Sequence, residues 1–181
     1  MQVVVVEHGA LAPWRGGLCR LFDAEYLAEH GAWDPEQPYG YAPADLHVVG
    51  SLDRRVVAHA GLQRRTIGVG DVDVVVAGVG GVLVAHAARG VGLGRAVLRE
   101  TARAAREVAA ADFAYLGCRE EVVPFYRSCG WTRTRVRERS LSRVDGAPVV
   151  QEPGPPVLLH PARRPVADWP DGDVDLRGRP W

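Results

Sequence analysis

Several residue types and sequence patterns are missing from this 181-residue chain. Lysine and asparagine do not occur, and all 22 basic residues are arginines. Because 22 acidic residues balance them, the formal net charge is zero, and there is no basic stripe of the kind that nucleic-acid binding needs. No run of about 18 apolar residues occurs, so the sequence predicts no membrane-spanning helix. We therefore expect neither a nucleic acid nor a membrane among its partners.

Cysteines and metal-ligand spacings are also scarce. The three cysteines, Cys19, Cys118 and Cys129, form no CxxC pair, which argues against a disulfide framework and against a structural zinc site. The six histidines show no HExxH or comparable spacing, so no metal is expected. No basic segment precedes the first apolar residues, so we predict no signal peptide and a cytoplasmic protein.

The order of the predicted elements indicates a mixed α/β fold built around one sheet. At this length we expect one domain, residues 1–181, whose last part, 161–181, is an ordered tail. Apolar residues recur at helical spacing over 13–30 and over 91–110. The other predicted elements are strands at 2–6, 46–50, 56–67, 72–86 and 113–118, a short helix at 120–130, and two or three strands within 131–160.

Glycines interrupt the long β-branched strand predicted at 72–86. Gly78, Gly80 and Gly81 all lie within it. Glycine inside a strand marks a bulge or the close approach of a ligand or another backbone. We therefore expect this strand to be broken near its carboxyl end.

A second glycine-rich segment, residues 89–95 (RGVGLGR), opens the helix that follows this strand. Small residues let consecutive N–H groups approach an anion, and the helix N-terminus adds partial positive charge. The arginines can add charge-assisted hydrogen bonds. The segment has neither the GK[ST] ending of a P-loop nor the register of a Rossmann site. The alternative is a tight turn in which the glycines only provide clearance.

Two segments resemble the signatures of the GCN5-related N-acetyltransferase (GNAT) superfamily. Residues 89–94 match the pattern [QR]-x-x-G-x-[GA] of its pyrophosphate loop, and residues 123–131 (VPFYRSCGW) resemble its second signature, an aromatic–Tyr pair followed by Gly-aromatic. The resemblance implies an acyl-CoA N-acyltransferase fold with a splayed central strand. It also implies acetyl-CoA (coenzyme A) as co-substrate, without a metal.

Within the superfamily, the sequence is similar to two groups of enzymes. Residues 58–65 (AHAGLQRR) and 178–181 (GRPW) resemble the aminoglycoside 2′-N-acetyltransferases. Residues 69–73 (VGDVD) and 168–172 (DWPDG) resemble the nodulation (NodA-like) N-acyltransferases, which acylate a chitooligosaccharide. Both groups acylate the amino group of an amino sugar, so a small-molecule amino-sugar acceptor is implied. Homodimers are common in the superfamily, and a homodimer is a possible state here.

The resemblance assigns the donor-binding residues and the general acid. Tyr126 is the expected acid, because a phenol with a pKa near 10 is within about two units of a thiol and can protonate the departing thiolate. The alternative is that Tyr126 only packs its ring. The residues expected to bind coenzyme A are Val82, Leu83 and Val84 for pantetheine, and Arg89, Gly90, Val91, Gly92, Leu93, Gly94 and Arg95 for the pyrophosphate.

The general base is not assigned by the resemblance. The aminoglycoside enzymes carry a glutamate on the broken strand, whereas the matching position here is Gly80. Candidates from the sequence are His59 acting through a water, Glu120, Glu121, or an aspartate of the tail.

Acceptor-binding residues are expected in the aromatic loop 31–44, at the strand break and in the tail. Acidic groups there would attract an amine, and aromatic rings could stack on sugars. For any single aspartate, a solvated loop position is the alternative. The expected residues are Asp34, Gly81, Asp173, Asp175 and Trp181.

The sequence therefore predicts an acetyl-CoA-dependent N-acetyltransferase. It would act on an amino group of an aminoglycoside or another amino sugar, inactivating or tailoring an antibiotic, by direct attack in a ternary complex. Two alternatives stay open. One is a longer-chain N-acyltransferase of the nodulation type, and the other is a non-catalytic acyl-CoA-binding sensor, which the missing strand glutamate motivates.

Overall fold

Ten β-strands and three α-helices make up the computed structural model, which describes residues 1–181. The helices are α1 (Ala12–His30), α2 (Leu93–Glu107) and α3 (Val123–Arg127). The strands are β1 (Gln2–Glu7), β2 (Leu46–Leu52), β3 (Arg55–Val69), β4 (Val72–Val84), β5 (Phe113–Gly117), β6 (Thr132–Thr134), β7 (Glu138–Leu141), β8 (Pro148–Gln151), β9 (Val157–Pro161) and β10 (Val174–Asp175). None of the helices is both long enough and apolar enough to cross a membrane.

All ten strands belong to one mixed sheet. Its main order is β6-β9-β5-β4-β3-β10-β7-β8, and β1 and β2 lie beside the first half of β3. The long strand β3 therefore pairs with β4 along one edge, and with β2 and then β10 along the other. Only the pairs β4–β5 and β10–β7 are parallel.

The helices cover both faces of the sheet because neighbouring side chains on a strand point in opposite directions. On β2, Val48 packs in the apolar cluster of α2, whereas the adjacent Val49 packs in the cluster of α1. Tyr126 of α3 belongs to the α2 cluster. A third cluster, around Ile67 and Phe113, fills the curve of the sheet beneath β10.

Most predicted elements are confirmed, with three differences. Helix α2 begins at Leu93 rather than Val91, because Gly92 adopts a left-handed φ of 82° that ends the preceding turn. Residues 131–160 contain four strands rather than two or three. The tail contributes β10, only two residues long, which is held by pairing with both β3 and β7.

The broken strand is confirmed. The register between β3 and β4 shifts between His59 and Gly61, and Gly81 adopts a φ of 56°, so the chain bulges there. Strand β4 pairs with β5 over only three residue pairs, from Val76–Phe113 to Gly78–Tyr115. Beyond these pairs the two parallel strands separate and leave a cleft between their carboxyl ends.

Candidate active site

The glycine turn before α2 presents free backbone N–H groups. Gly90 and Gly92 both have a φ of 82°, and a Cβ built on either would meet no atom within 4 Å. Glycine is therefore required at these positions by the left-handed backbone conformation, and not because a side chain would collide with the rest of the protein. The first hydrogen bond of the helix runs from the Ala96 N–H to the Gly92 carbonyl, at 3.1 Å. The N–H groups of the first turn before Ala96 have no partner within the helix and point outward, as an anion site requires.

The two arginines of this turn also bind the protein. The Arg89 Nε donates to the Val84 carbonyl at 3.0 Å, and its guanidinium approaches Glu25 at 3.4 Å. The Arg95 guanidinium donates to the Ser128 carbonyl at 2.9 Å. Both side chains remain exposed. The two arginines therefore fix the turn between β4 and α3, and the guanidinium N–H groups not used in these bonds are available to a ligand.

The other expected coenzyme A residues lie around the same cleft. Val82 and Val84 lie on the part of β4 that has separated from β5, whose edge is available to an added strand. The Leu83 side chain is buried in the α1 cluster and the Leu93 side chain in the α2 cluster, so these two contribute backbone rather than side chains. The Val91 side chain is exposed.

A cavity of about 940 Å³, here called the central cavity, opens at the separation of β4 and β5. Its floor is the sheet face opposite α2, since Ala58, Ala60 and Leu62 of β3 point to α2 and the intervening residues point away. Four glycines contribute much of this floor, Gly61, Gly78, Gly80 and Gly81. Its aromatic lining comprises Phe22, Tyr26, Trp33, Tyr39, Tyr41, Tyr115, Tyr126 and Trp181.

Tyr126 faces the central cavity from the side of α3. Only 7% of the residue is exposed, and its ring packs edge-on against Trp131 with the centroids 5.9 Å apart. Burial raises the pKa of the phenol above its ordinary value, so the group is protonated at neutral pH. A protonated phenol in this position can donate to a sulfur held at the strand break.

Trp181 explains why glycine occupies the strand at positions 78 and 80. A Cβ on Gly78 would overlap the Trp181 indole, and a Cβ on Gly80 would overlap its backbone. The indole Nε1 donates to the Tyr115 carbonyl at 3.1 Å, and the guanidinium of Arg65 lies over the ring at 4.8 Å. Trp181 therefore lies directly on the broken strand, which leaves no room there for a glutamate side chain.

A row of three histidines connects the protein surface to the bulge. The Glu36 Oε1 lies 2.8 Å from His8 Nε2, and His8 Nδ1 lies 3.1 Å from His47 Nε2. His47 Nδ1 lies 3.0 Å from His59 Nε2, and His59 Nδ1 lies 2.8 Å from the Gly81 carbonyl oxygen. The row therefore crosses β2 and β3 and ends at the strand break.

The Gly81 carbonyl fixes the direction of the hydrogen bonds along this row. A carbonyl only accepts, so His59 donates from Nδ1 to Gly81, and its Nε2 accepts from His47. His47 in turn accepts from His8 Nδ1, and the other ring nitrogen of His8 lies 2.8 Å from the Glu36 carboxylate. Burial lowers the pKa of His47 to about 3, with further lowering contributions from His59 and His8. Burial also lowers the pKa of His59, to about 4. The two inner rings are therefore neutral at pH 7, and both nitrogens of His59 are already hydrogen-bonded.

The structure does not bring the predicted acidic residues together with Gly81 and Trp181. Asp34 is exposed and accepts from the Glu36 N–H and from Arg15, at 3.1 and 3.3 Å. Asp173 lies 3.7 Å from Arg137, in a separate pocket of about 220 Å³ that Asp175 also lines. Asp34 and Asp173 form surface ion pairs with arginines, whereas Gly81 and Trp181 line the central cavity.

The carboxylates considered as bases are also outside the central cavity. Glu120 forms a bidentate ion pair with Arg133, with distances of 2.6 and 3.0 Å, and Glu121 is exposed. His59 does line the cavity.

Two cavity residues were missed by sequence reasoning. Glu138 of β7 and Tyr115 of β5 both line the central cavity, and the Tyr115 hydroxyl donates to Glu138 Oε2 at 2.5 Å. The two strands are four places apart in the sheet, so only its curvature brings the side chains together. Because side chains alternate between the two faces of a strand, one face of β7 is expected to be buried. Nothing in the sequence indicates which residues that face contacts.

This chain matches one protein-family model over most of its length and shares its fold with several proteins of known structure. The model of a protein family described as Nodulation protein A (NodA) matches residues 16–180. A search of curated protein sequences found no match. Solved structures with a similar fold include Escherichia coli ElaA, with a TM-score of 0.59 at 20% identity over 88% of this chain and 99% of that chain. The GNAT family N-acetyltransferase YhbS from Escherichia coli, solved in complex with CoA, has a TM-score of 0.60 at 16% identity over 97% of this chain and 90% of that chain. An acyl-CoA N-acyltransferase from Pseudomonas aeruginosa has a TM-score of 0.55 at 18% identity over 88% and 98%.

Proposed function

The chain belongs to the Nodulation protein A family and has the GNAT acyltransferase fold, and from this we propose that it is an acyl-CoA N-acyltransferase acting on the primary amine of an amino sugar. One observation carries the proposal. The open glycine turn at α2, the free edge of β4 and the hydroxyl-bearing Tyr126 all border the same cleft, which leads into the central cavity.

The donor thioester is held by backbone groups. Its pyrophosphate accepts hydrogen bonds from the N–H groups around Gly92, at the positive end of the α2 dipole, and Arg89 and Arg95 add charge. The pantetheine arm pairs with the edge of β4 beyond Gly81, as an added strand does. This arrangement directs the acyl group to the strand break, beneath Tyr126.

The acyl transfer then depends on position and on two proton movements. Aligning two bound reactants lowers the barrier by about 7 kcal/mol or more. The neutral amine attacks the thioester carbon, the C–S bond breaks, and Tyr126 protonates the departing thiolate. The nitrogen then gives up one of its two protons to the Tyr126 phenolate, which leaves the amide. Transfer without general-acid assistance would be slower by about two to four orders of magnitude.

The charges of the central cavity favour an acceptor with one amine. Its lining contains two carboxylates, Glu29 and Glu138, and two guanidinium groups, Arg119 and Arg143. A polycation such as an aminoglycoside requires an excess of acidic groups, and the expected aspartates do not supply it. The many aromatic rings suit the apolar faces of sugar rings. A mostly neutral oligosaccharide with a single free amine is therefore the proposed acceptor.

A second candidate concerns the acyl chain. A volume of about 940 Å³ is at the upper end for a ligand cavity and exceeds what an acetyl group and one sugar ring need. About half of its 40 lining residues are hydrophobic. Transfer of an acyl chain longer than acetyl, in the manner of the nodulation enzymes, is consistent with this lining.

A thiol-release assay tests the proposal. Acetyl-, octanoyl- and palmitoyl-CoA are each offered with a chitooligosaccharide carrying one free amine, its fully N-acetylated form and an aminoglycoside. We expect CoA release with the free-amine oligosaccharide and none with the N-acetylated control. Faster turnover with the aminoglycoside would overturn the acceptor assignment. Tight CoA binding without turnover on any amine would identify a non-catalytic acyl-CoA sensor.

A further inference from the structure

Glu138 is a carboxylate that faces the central cavity without a cationic partner. It is half-buried on β7 and forms no ion pair, whereas Glu152 of the same hairpin pairs with Arg137 at 3.1 Å. Its Oε2 accepts from the Tyr115 hydroxyl at 2.5 Å. Removing an ionised carboxylate from water without a counter-charge is costly, so such a group is retained where a ligand supplies the charge.

The geometry around Glu138 leaves one oxygen for a ligand. Tyr115 is held by its own packing, edge-on against Trp181 with centroids 5.7 Å apart, and by its strand. It fixes Oε2, whereas Oε1 accepts no hydrogen bond from the protein. Ser140, two residues further on β7, lines the same wall. The floor opposite this wall is the glycine strand, where Gly78 pairs with Tyr115 itself.

Tyr115 is the only titratable group whose interaction contributes to the pKa of Glu138. Burial raises the pKa of Glu138, and the hydrogen bond from Tyr115, which lowers it, offsets this only in part. Burial and the adjacent carboxylate both raise the pKa of Tyr115, so this hydroxyl remains a donor. A carboxylate with a raised pKa is a stronger base than one in water.

Resting on the function proposed above, we propose that Glu138 binds the ammonium group of the acceptor and removes its proton, with Tyr115 as the positioning residue. This carboxylate takes the role that Gly80 cannot fill on β4. It approaches the strand break from the opposite wall of the central cavity, through the curvature of the sheet.

The proton balance is closed by two side chains. The ammonium N–H bond breaks and the Glu138 O–H bond forms, which leaves a neutral amine. The amine attacks the thioester, the C–S bond breaks, and the thiolate takes the phenolic proton of Tyr126. The nitrogen, which still carries two protons after the attack, gives one of them to the Tyr126 phenolate and becomes the amide N–H. Glu138 releases its proton to water when the products leave.

The experiment compares Glu138→Gln with Glu152→Gln, which removes an exposed carboxylate from the end of β8 in the same hairpin. Both are assayed for acyl transfer from pH 6 to pH 9.5, and for CoA affinity and thermal unfolding. At pH 6.5 we expect Glu138→Gln to lose two to four orders of magnitude in kcat/KM, with CoA affinity unchanged. At a pH above the pKa of the acceptor amine, the amine is already neutral in solution and needs no base. There the loss of kcat/KM in Glu138→Gln should be at least tenfold smaller. Glu152→Gln should match the parent.

A second variant keeps the carboxylate. Tyr115→Phe removes the hydrogen bond that lowers the pKa of Glu138, so the acid limb of the kcat/KM profile should move to higher pH. This readout applies even if Glu138→Gln does not fold. The proposal is overturned if Glu138→Gln stays within threefold of the parent, or if its loss is the same at every pH. It is also overturned if Tyr115→Phe leaves the limb in place. Absence of transfer by the parent protein would instead refute the proposed function.

Discussion

Acid should destabilise this protein through its buried histidines before most carboxylates titrate. His47 and His59 are 1% and 3% exposed, and burial lowers their pKa values to about 3 and about 4. In the unfolded chain both return to about 6.5. A group whose pKa is lower in the folded state binds more protons when unfolded, so its stabilising contribution is complete above pH 6.5. That contribution falls as the pH drops from 6.5 toward 4 and 3.

The magnitude follows from linkage. At pH 5.5, protonation of an unfolded histidine with a pKa of 6.5 lowers its free energy by RT ln 11, about 1.4 kcal/mol. Two such residues reduce the free energy of unfolding by about 2.7 kcal/mol relative to pH 7.5, a large share of the usual total of about 5–15 kcal/mol.

Urea unfolding at pH 7.5 and pH 5.5 measures this loss. The double variant His47→Gln/His59→Gln should lose about 2.7 kcal/mol less than the parent between the two pH values, whatever its stability at pH 7.5. The control His30→Gln removes an exposed histidine and should lose as much as the parent. If the double variant and the parent lose equal stability on acidification, the two rings are not buried as neutral groups, and the direction assigned to the histidine row is wrong.

Three further predictions concern the site. Tyr126→Phe should lower kcat at least tenfold with little change in CoA affinity, measured by thiol release and by calorimetry; unchanged turnover would remove Tyr126 from the acid role. Gly92→Val should weaken CoA binding at least tenfold, because a β-branched residue is strained at a φ of 82°. The remote Gly146→Val, strained at a φ of 73°, should not weaken it. Gly78→Ala should displace the Trp181 indole and raise the acceptor KM more than the CoA dissociation constant, and the reverse order would place Trp181 at the donor site.

The elements that the sequence predicted well are those whose signals are local. The 3.6-residue period predicted α2 within two residues of its observed start, and the glycines within β4 predicted the bulge at Gly81. The turn around Gly92 carries its own conformational requirement, so it is visible without any tertiary contact. The signature around Tyr126 identified a residue that does line the central cavity.

The acceptor side of the site could not be predicted in the same way, because distant strands create it. Asp173 and Asp175 are close in sequence to Trp181, but the pairing of β10 with β3 and β7 turns them to the other pocket. Glu138 reaches Tyr115 only because the sheet curves across four strands. His47 and His59 are adjacent through the register of β2 with β3, a pairing that their spacing of 12 residues does not reveal.

The glycine floor of the central cavity has a practical consequence for changing which acceptor is used. Trp181 covers Gly78 and Gly80, so an acceptor meets this indole and the two walls of the cavity, which are the aromatic loop 31–44 and the hairpin formed by β7 and β8. Each wall is a continuous stretch of chain: the loop precedes β2, and the hairpin forms one end of the sheet. Exchanging them between family members is therefore a direct route to chimeras with a new acceptor preference and an unaltered donor half.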